Sequence, residues 1–224
     1  AALDNAEQVK DVLKANTKML FIAAGMGGGT GTGAAPVVAQ LARELGILTV
    51  GIVTTPFKFE GHKRVKQANE GICEMRNYVD TLLVISNNKI REIYGQQKLG
   101  DAFAKVDQVL TIAAKSIAET ITKEGNINLD FEDVKSVLQD SKSALMGYGI
   151  AEGNDRAMEA VKMALESPLL DDNNINGAQK LLLRISSGTN EITDDELEEI
   201  AEYVQEVVGA DADMFLGTNT EEEL

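Results

Sequence analysis

A glycine-rich segment between an apolar run and a helical pattern is the feature that most limits how this chain can fold. Gly25–Gly33 contains six glycines in nine residues, a concentration that costs backbone entropy and that a simple turn does not need. The apolar run Met19–Ala24 before it is typical of a strand buried on both faces of a parallel sheet. Helical character returns at Ala34–Leu45, and Ile47–Thr55 is a second apolar run. Strand, glycine turn, helix and strand within about 40 residues predict a right-handed βαβ unit.

The other predicted elements follow from apolar spacing and from helix breakers. Pro36 favours a helix that begins at Ala34, because a proline in the first helical turn loses no hydrogen bond. The stretch Asp101–Thr122 contains no Gly or Pro, and its apolar residues three or four apart predict one buried face. Further helices are predicted at Leu3–Asn16, His62–Arg76, Phe131–Asp140, Asp155–Ser167 and Asp194–Val208, and further strands at Thr81–Ile85, Lys180–Ile185 and Met214–Gly217.

Composition excludes several classes of function. The 224 residues carry a net charge of −15, which opposes binding to a nucleic-acid backbone but allows one nucleotide held by backbone N–H groups. Cys73 is the only cysteine and His62 the only histidine, so neither a disulfide framework nor a zinc site is expected. No apolar run approaches the ~20 residues that span a bilayer. No signal-peptide pattern opens the sequence, and a cytosolic protein is therefore expected.

The glycine segment predicts a site for phosphate. N–H groups between a buried strand and a helix lie at the positive end of the helix dipole. The segment is not a P-loop, because Gly-Lys-Ser/Thr is absent. Gly29, Gly31 and Ala34 match the alanine form of the dinucleotide fingerprint, although the strand Ile47–Thr55 ends without the acid that would hold a ribose. The residues alone leave open a nucleotide phosphate site, a dinucleotide site and a purely structural turn.

The full string Gly27–Gly33, with Ala34–Ala39 after it, resembles the signature loop of the tubulin/FtsZ GTPase family and of bacterial FtsZ within it. The resemblance extends over essentially the whole chain. Further segments that resemble the family occur in its order: Pro56–Gly61 with Arg64, Asn87, Phe103 with Asp107, Asn128–Asp133, Ala144–Gly147 and Ser167–Leu170. The resemblance implies an α/β fold with three parts. These are a partial Rossmann-like GTPase domain with a parallel sheet at 1–98, a long central helix at 99–123 and an α+β C-terminal domain at 124–224.

The resemblance also implies which residues bind GTP. The phosphates would lie on the glycine loop, which consists of Gly27, Gly28, Gly29, Thr30, Gly31, Thr32 and Gly33. Glu60 would bond the ribose, and Arg64 would lie near the ribose and phosphates. Asn87 would read guanine, and Phe103 would stack on the base. Asp107 would bond the two guanine donors that adenine lacks; on an apolar helix face, an acid also needs such a donor.

Asn128, Asp130 and Asp133 resemble the catalytic loop that each subunit of the family inserts into its neighbour. The carboxylates would polarise the attacking water and help the GTP phosphates hold Mg²⁺. Acids at a helix start also serve as partners of the helix dipole, and the residues alone favour that structural role. The resemblance implies hydrolysis of GTP to GDP within head-to-tail filaments of the bacterial division ring. The implied partners are copies of the chain and division-ring adaptors, with the membrane reached only indirectly.

The sequence departs from the family pattern mainly at its ends. The family has a strand and another glycine loop before the position of Ala1 and a closing strand after that of Leu224, so truncation at both ends is expected. Ser86 stands where proline is usual, and His62 where Lys or Arg is common. Missing strands would leave an open sheet edge and a marginally stable chain. Two other functions stay open: a dinucleotide-dependent oxidoreductase, and a non-catalytic module that blocks filament growth.

Overall fold

A computed structural model describes residues 6–14, 16–95, 98–167, 175 and 177–221. These residues form two compact units, which comprise 1–114 with 138–144, and 115–137 with 145–224. The boundaries expected from the sequence at residues 98 and 123 fall at the two ends of the long helix, whereas the compact units part within it. The first residues of the predicted helix Leu3–Asn16 and most of the segment Ser167–Leu170 lie outside the described residues.

The first unit is built on a parallel sheet with the strand order β1-β2-β3. The strands are β1 (Met19–Gly25), β2 (Leu48–Thr55) and β3 (Thr81–Ser86). Met19 lies opposite Leu48, and Val50 lies opposite Thr81. The helices are α1 (Ala6–Leu13), α2 (Gly29–Glu44), α3 (His62–Met75), α4 (Asn87–Tyr94) and the first part of α5 (Leu99–Thr122), with a short 3₁₀ turn at Lys58–Glu60.

Burial explains the strand order of this sheet. Every residue of β2 except Thr55 is buried, as expected for a central strand covered by helices on both faces. Its Val53 lies in a core with Ile22 of β1 and Ala39 of α2. Among the described strands, β1 lies at an edge of the sheet, and its Ala23 is exposed. The predicted βαβ unit is therefore present, and its hydrophobic core forms between sheet and helices.

The sequence placed the start of α2 wrongly. The helix begins at Gly29 rather than Ala34, so Pro36 lies in its interior and not in its first turn. Glycines that tolerate a close approach to β1 let the backbone turn helical five residues early, which composition does not reveal. Helix α4 was not predicted, because its sequence is mostly polar with few apolar positions. Strand β5 is longer than predicted, since pairing with β4 extends it through polar residues.

The second unit contains a two-stranded parallel sheet of β4 (Lys180–Ser187) and β5 (Asp213–Thr220). Its helices are the rest of α5, α6 (Phe131–Leu138), α7 (Arg156–Leu165) and α8 (Asp194–Val208). Val161 of α7 packs in one core with Val204 of α8. Helix α8 begins with a capping box, in which Thr193 Oγ1 accepts from the Glu196 N–H (3.2 Å) and the Glu196 carboxylate accepts from the Thr193 N–H (2.9 Å). Among the described residues, no helix is both long and apolar enough to cross a membrane.

Candidate functional site

Three loops of the first unit meet at one edge of its sheet. The carboxyl ends of parallel strands lie at the same edge, and ligands of open α/β sheets bind there. The glycine turn follows β1, the segment Pro56–Gly61 follows β2, and Asn87 follows β3 directly as the first residue of α4. We call this group the sheet-edge site. It brings together most of the residues that the sequence assigned to GTP.

Two glycines of the turn are required by close packing. A Cβ on Gly31 would lie 2.1 Å from the carbonyl oxygen of Gly25, so only glycine lets α2 approach β1 this closely. Gly27 has φ +96°, and a Cβ there would lie 2.8 Å from the carbonyl oxygen of Arg64. The Gly27 N–H donates to Thr32 Oγ1 (2.9 Å). Thr32 therefore holds the turn, and its own hydroxyl proton stays available to a ligand.

Three other glycines of the turn face open space. A Cβ on Gly28, Gly29 or Gly33 would meet no atom within 4 Å. Gly28, Gly29 and Thr30 are exposed and lie at the start of α2, with Gly28 as its N-cap. The N–H groups at a helix start have no partner within the helix. Such a helix start binds anions through its N–H groups and the positive end of the dipole. The turn thus combines a packed rear side with an open front suited to phosphate.

The segment after β2 is held by hydrogen bonds within the site. Glu60 accepts from the Phe57 N–H (2.9 Å) with one carboxylate oxygen and from Arg64 (2.5 Å) with the other. Asn88 accepts from the Lys58 N–H (3.1 Å) and donates to the Pro56 carbonyl oxygen (3.5 Å). Asn88 was not predicted from the sequence, where its only signal is its position beside Asn87.

An aromatic cluster supports Phe103. The ring of Phe57 is buried, stacks on Phe59 at 4.9 Å between centroids, and meets Phe103 edge to face at 5.2 Å. Phe103 is 40% exposed, so one part of its ring contacts the protein and the rest is open to a stacking partner. Phe57 was also missed; the Phe-x-Phe spacing in the segment after β2 was the available signal.

Asn87 of the sheet-edge site has a buried side-chain oxygen without a hydrogen-bond partner in the described part of the chain. It is 5% exposed, and its Oδ1 is the one buried side-chain polar atom without a hydrogen-bond partner among the described residues. Leaving such an acceptor unpaired costs about 1–3 kcal/mol, so native proteins rarely tolerate it without a ligand or a functional reason. Asp107, one helical turn after Phe103, is exposed. Its place on the apolar helix face therefore does not by itself require a hydrogen-bond donor, and its role toward guanine stays a prediction.

The predicted catalytic residues form a separate group in the second unit, at the start of α6. The Asp130 N–H donates to Asp133 Oδ2, and the Asp133 N–H donates to Asp130 Oδ1, both at 2.9 Å. Asn128 accepts from the Gly125 N–H (2.7 Å) and donates to the Gly125 carbonyl oxygen (2.9 Å). Each acid therefore uses one carboxylate oxygen to cap α6. This is the structural role that the residue types alone favoured.

The donor set at α6 fits Mg²⁺ only in part. Asp130 Oδ2 and Asp133 Oδ1 make no hydrogen bond to another described residue. No group of three or more acidic, histidine or cysteine side chains could hold a metal in the part of the chain that the structure describes. Mg²⁺ commonly takes one or two carboxylates and completes its shell with substrate phosphates and water. The two free oxygens suit that arrangement and not a metal site made by the protein alone.

Comparisons with known proteins bear on both groups of residues. The GTPase-domain model of the tubulin/FtsZ family matches residues 1–95, and the C-terminal-domain model of the FtsZ family matches residues 142–224. The cell division protein FtsZ of Porphyromonas gingivalis is 51% identical over 210 residues, which are 93% of this chain and 46% of that protein. The chain belongs to the tubulin/FtsZ family.

A solved structure of the family supports the same fold. A mutant form of FtsZ from M. jannaschii is 42% identical and superposes with a TM-score of 0.93, covering 100% of this chain and 67% of that one. The FtsZ of Buchnera aphidicola is 46% identical over 220 residues, covering 98% of this chain and 57% of that protein. This chain spans about half the length of the curated relatives it matches.

These findings confirm the family and the fold class that the sequence indicated. The first matched region contains the glycine turn, Glu60, Arg64 and Asn87. Phe103, Asp107 and the loop with Asn128, Asp130 and Asp133 lie between the two matched regions. The roles of all these residues remain predictions.

Proposed function

We propose that this chain is a subunit of an assembly-dependent GTPase that polymerises head-to-tail with copies of itself. The observation that carries the proposal is the buried, unpaired Oδ1 of Asn87. It lies at the strand ends where the glycine turn also opens, in a chain of the tubulin/FtsZ family. A nucleotide bound there would supply an N–H group from guanine to the orphan oxygen and phosphates to the start of α2.

Each side of the nucleotide has a matching group. The first turn of α2 would bind the phosphates, Phe103 would stack on the base, and Asn87 and Asp107 would accept hydrogen bonds from guanine. Glu60 would bond the ribose, with Arg64 beside it. A carboxylate oxygen accepts more than one hydrogen bond, so the bonds that Glu60 already makes leave capacity for a ribose hydroxyl.

Hydrolysis needs a positioned water and neutralised charge more than covalent chemistry from the protein. Asp130 Oδ2 and Asp133 Oδ1 would polarise the water. Asn128 would keep the loop in shape through its paired bonds to Gly125. Mg²⁺, when bound, would offset phosphate charge and would be held by the phosphates together with Asp130 or Asp133.

The loop of one subunit would complete the sheet-edge site of the next. A contact of this heterologous kind repeats without closing and yields filaments. In functional terms, residues 1–98 would bind the nucleotide, 99–123 would form the central helix, and 124–224 would carry the catalytic loop. The relatives are named cell division proteins, which supports a role in the division ring of the bacterial cytoplasm. Adaptor proteins would link the filaments to the membrane.

The test is GTP binding and hydrolysis by this chain with Mg²⁺ over a range of protein concentrations. We expect binding of GTP in preference to ATP and a specific activity that rises steeply with protein concentration. Activity that is independent of concentration would contradict a shared site. Binding of NAD(P)H without GTP would favour the oxidoreductase. Sub-stoichiometric inhibition of FtsZ assembly, without GTPase activity, would favour the interaction module.

A further inference from the structure

The segment between α5 and α6, which carries Asn128 and leads to Asp130, is attached to the end of β5. The Ile127 N–H donates to Thr218 Oγ1 (3.1 Å), and the Thr218 N–H donates to the Ile127 carbonyl oxygen (3.0 Å). We call this pair of bonds the Thr218 clasp. It fixes both backbone groups of the residue directly before Asn128.

Two glycines allow the segment to lie this close to β5. A Cβ on Gly125 would lie 1.6 Å from the Thr218 carbonyl oxygen, and a Cβ on Gly217 would lie 2.9 Å from Leu129 Cδ1. Any larger side chain at Gly125 would push the segment away from the strand. The backbone of Gly125 also makes both hydrogen bonds to the Asn128 side chain. A shift of Gly125 would therefore move Asn128 as well.

Thr218 is itself held in a fixed position. It is 7% exposed, and the next residue, Asn219, is 5% exposed. Asn219 Oδ1 accepts from Arg184 Nε (3.0 Å) and from Ser186 Oγ (2.8 Å) on the neighbouring strand. The clasp is therefore anchored on packed strands and not on another loop.

Ion pairs fasten the other end of the segment. Lys123 contacts Glu221 (2.7 Å) just after β5 and Glu119 (3.0 Å) on α5. The hydrogen bond to Glu221, followed by that to Glu119, raises the pKa of the Lys123 ammonium above its ordinary value. Burial acts to raise the pKa of Glu119, but hydrogen bonds from Lys123 and Arg184 outweigh it and hold that pKa below its usual range. These charges stay paired at neutral pH and fix where the segment begins.

We propose that Thr218 is a positioning residue for the catalytic loop, acting through its hydroxyl on the backbone at Ile127. The inference rests on the proposed GTPase function. A loop that enters another subunit's site must keep its geometry before it arrives, and displacements near 1 Å cost large factors in rate. The Thr218 clasp, the close packing at Gly125 and Gly217, and the two Asn128–Gly125 hydrogen bonds all hold residues 125–129.

The first measurement is amide hydrogen exchange of the full chain, resolved at Ile127. Thr218→Val keeps the β-branched shape and the Thr218 N–H bond but removes the hydroxyl. We expect exchange at Ile127 to become about fivefold faster, as for the loss of one ordinary hydrogen bond. Thr218→Ser should restore the slow rate. Thr220→Val is the matched control, because Thr220 is exposed on the same strand and should leave Ile127 unchanged.

The second measurement is steady-state GTP hydrolysis and assembly by the same variants. Thr218→Val should lower kcat roughly tenfold, while KM and the critical concentration for assembly stay at their wild-type values. Thr218→Ser should recover kcat. A loss of fold would instead raise the critical concentration and alter the circular dichroism.

The two hypotheses fail in different ways. A wild-type chain that binds GTP, assembles and yet never hydrolyses it would refute the proposed function, and the exchange rates alone would then decide whether the clasp holds the loop. Unchanged exchange at Ile127 in Thr218→Val would overturn the inference in every case. An active Thr218→Val chain with faster exchange and wild-type kcat would overturn it as well.

Discussion

Replacing Asn87 with leucine should stabilise the free chain and at the same time weaken GTP binding. Asn87 is buried, and its Oδ1 has no partner in the described residues, which costs about 1–3 kcal/mol. Leucine has the same number of side-chain heavy atoms but two bulkier methyl groups, carries no acceptor and has the higher helix propensity. Allowing for imperfect fit, we expect the free energy of unfolding to rise by about 1 kcal/mol.

The affinity should change in the opposite direction. A guanine N–H group would lose its acceptor in a desolvated site, a loss of about 1–3 kcal/mol that corresponds to a dissociation constant about 5- to 150-fold weaker. Urea denaturation followed by far-UV circular dichroism measures the stability, and titration with a fluorescent guanine nucleotide measures the affinity. Asn69→Leu is the matched control, since Asn69 is an exposed amide on α3 and should change neither quantity much.

The opposed signs are the decisive result. If Asn87 served only in packing, its replacement would lower the free energy of unfolding of the chain. Nucleotide binding would then weaken only because less of the chain is folded. If Asn87→Leu destabilises the chain by more than about 1 kcal/mol, its amide has a structural purpose and the argument from the orphan oxygen fails. If stability rises but nucleotide affinity is unchanged, the oxygen does not face the base.

Gly31→Ala should destabilise the first unit by about 1–3 kcal/mol in urea denaturation, because its Cβ would lie 2.1 Å from a β1 carbonyl oxygen, whereas Gly33→Ala should be neutral or stabilising. Asp133→Asn removes the carboxylate charge but keeps an oxygen that can cap α6. It should therefore abolish GTP turnover while the fold and the binding of a fluorescent GTP analogue stay unchanged. Two bonds from Arg156, with the Thr193 N–H, lower the pKa of Glu196 to about 2 from its ordinary 4.5. This stabilisation of about 2 kcal/mol should be complete above pH 4.5 and lost as pH falls toward 2, and Glu196→Gln should flatten that part of the denaturation profile.

Each of these has a clear contrary result. Equal stability of the Gly31→Ala and Gly33→Ala variants would show that α2 does not need its close approach to β1. Surviving turnover in Asp133→Asn would remove that residue from the catalytic group. A Glu196→Gln variant with the wild-type pH profile would mean that other carboxyls control acid unfolding of the second unit.

The strands were predictable because their signals are local. The apolar runs at Met19–Ala24 and Ile47–Thr55 gave β1 and β2, since a buried parallel strand shows as an unbroken apolar sequence. Helix α4 and the early start of α2 were not predictable, because they depend on contacts that sequence spacing does not show. The first turn of α2 can be helical because Gly31 has no side chain to collide with the carbonyl oxygen of Gly25. That contact joins residues six positions apart in the chain.

Residues that fix the position of a site residue were harder to predict than residues assigned to contact the nucleotide. Asn88 and Phe57 act on the backbone or ring of a neighbour, and nothing in their residue type separates them from ordinary polar and core positions. Thr218 bonds a residue 91 positions away. Such pairs are fixed by tertiary packing, so a single sequence gives no sign of them.

Asp130 and Asp133 show why capping and catalysis were hard to separate from the sequence. By residue type, an acid at a helix start is more often a cap than a catalytic group. A carboxylate has two oxygens, however, and the structure assigns only one oxygen of each acid to the cap. The capping bonds then orient the second oxygens rather than occupy them. In this geometry a helix cap aims two carboxylates, and the structural role would then be a condition for the proposed catalytic role rather than its alternative.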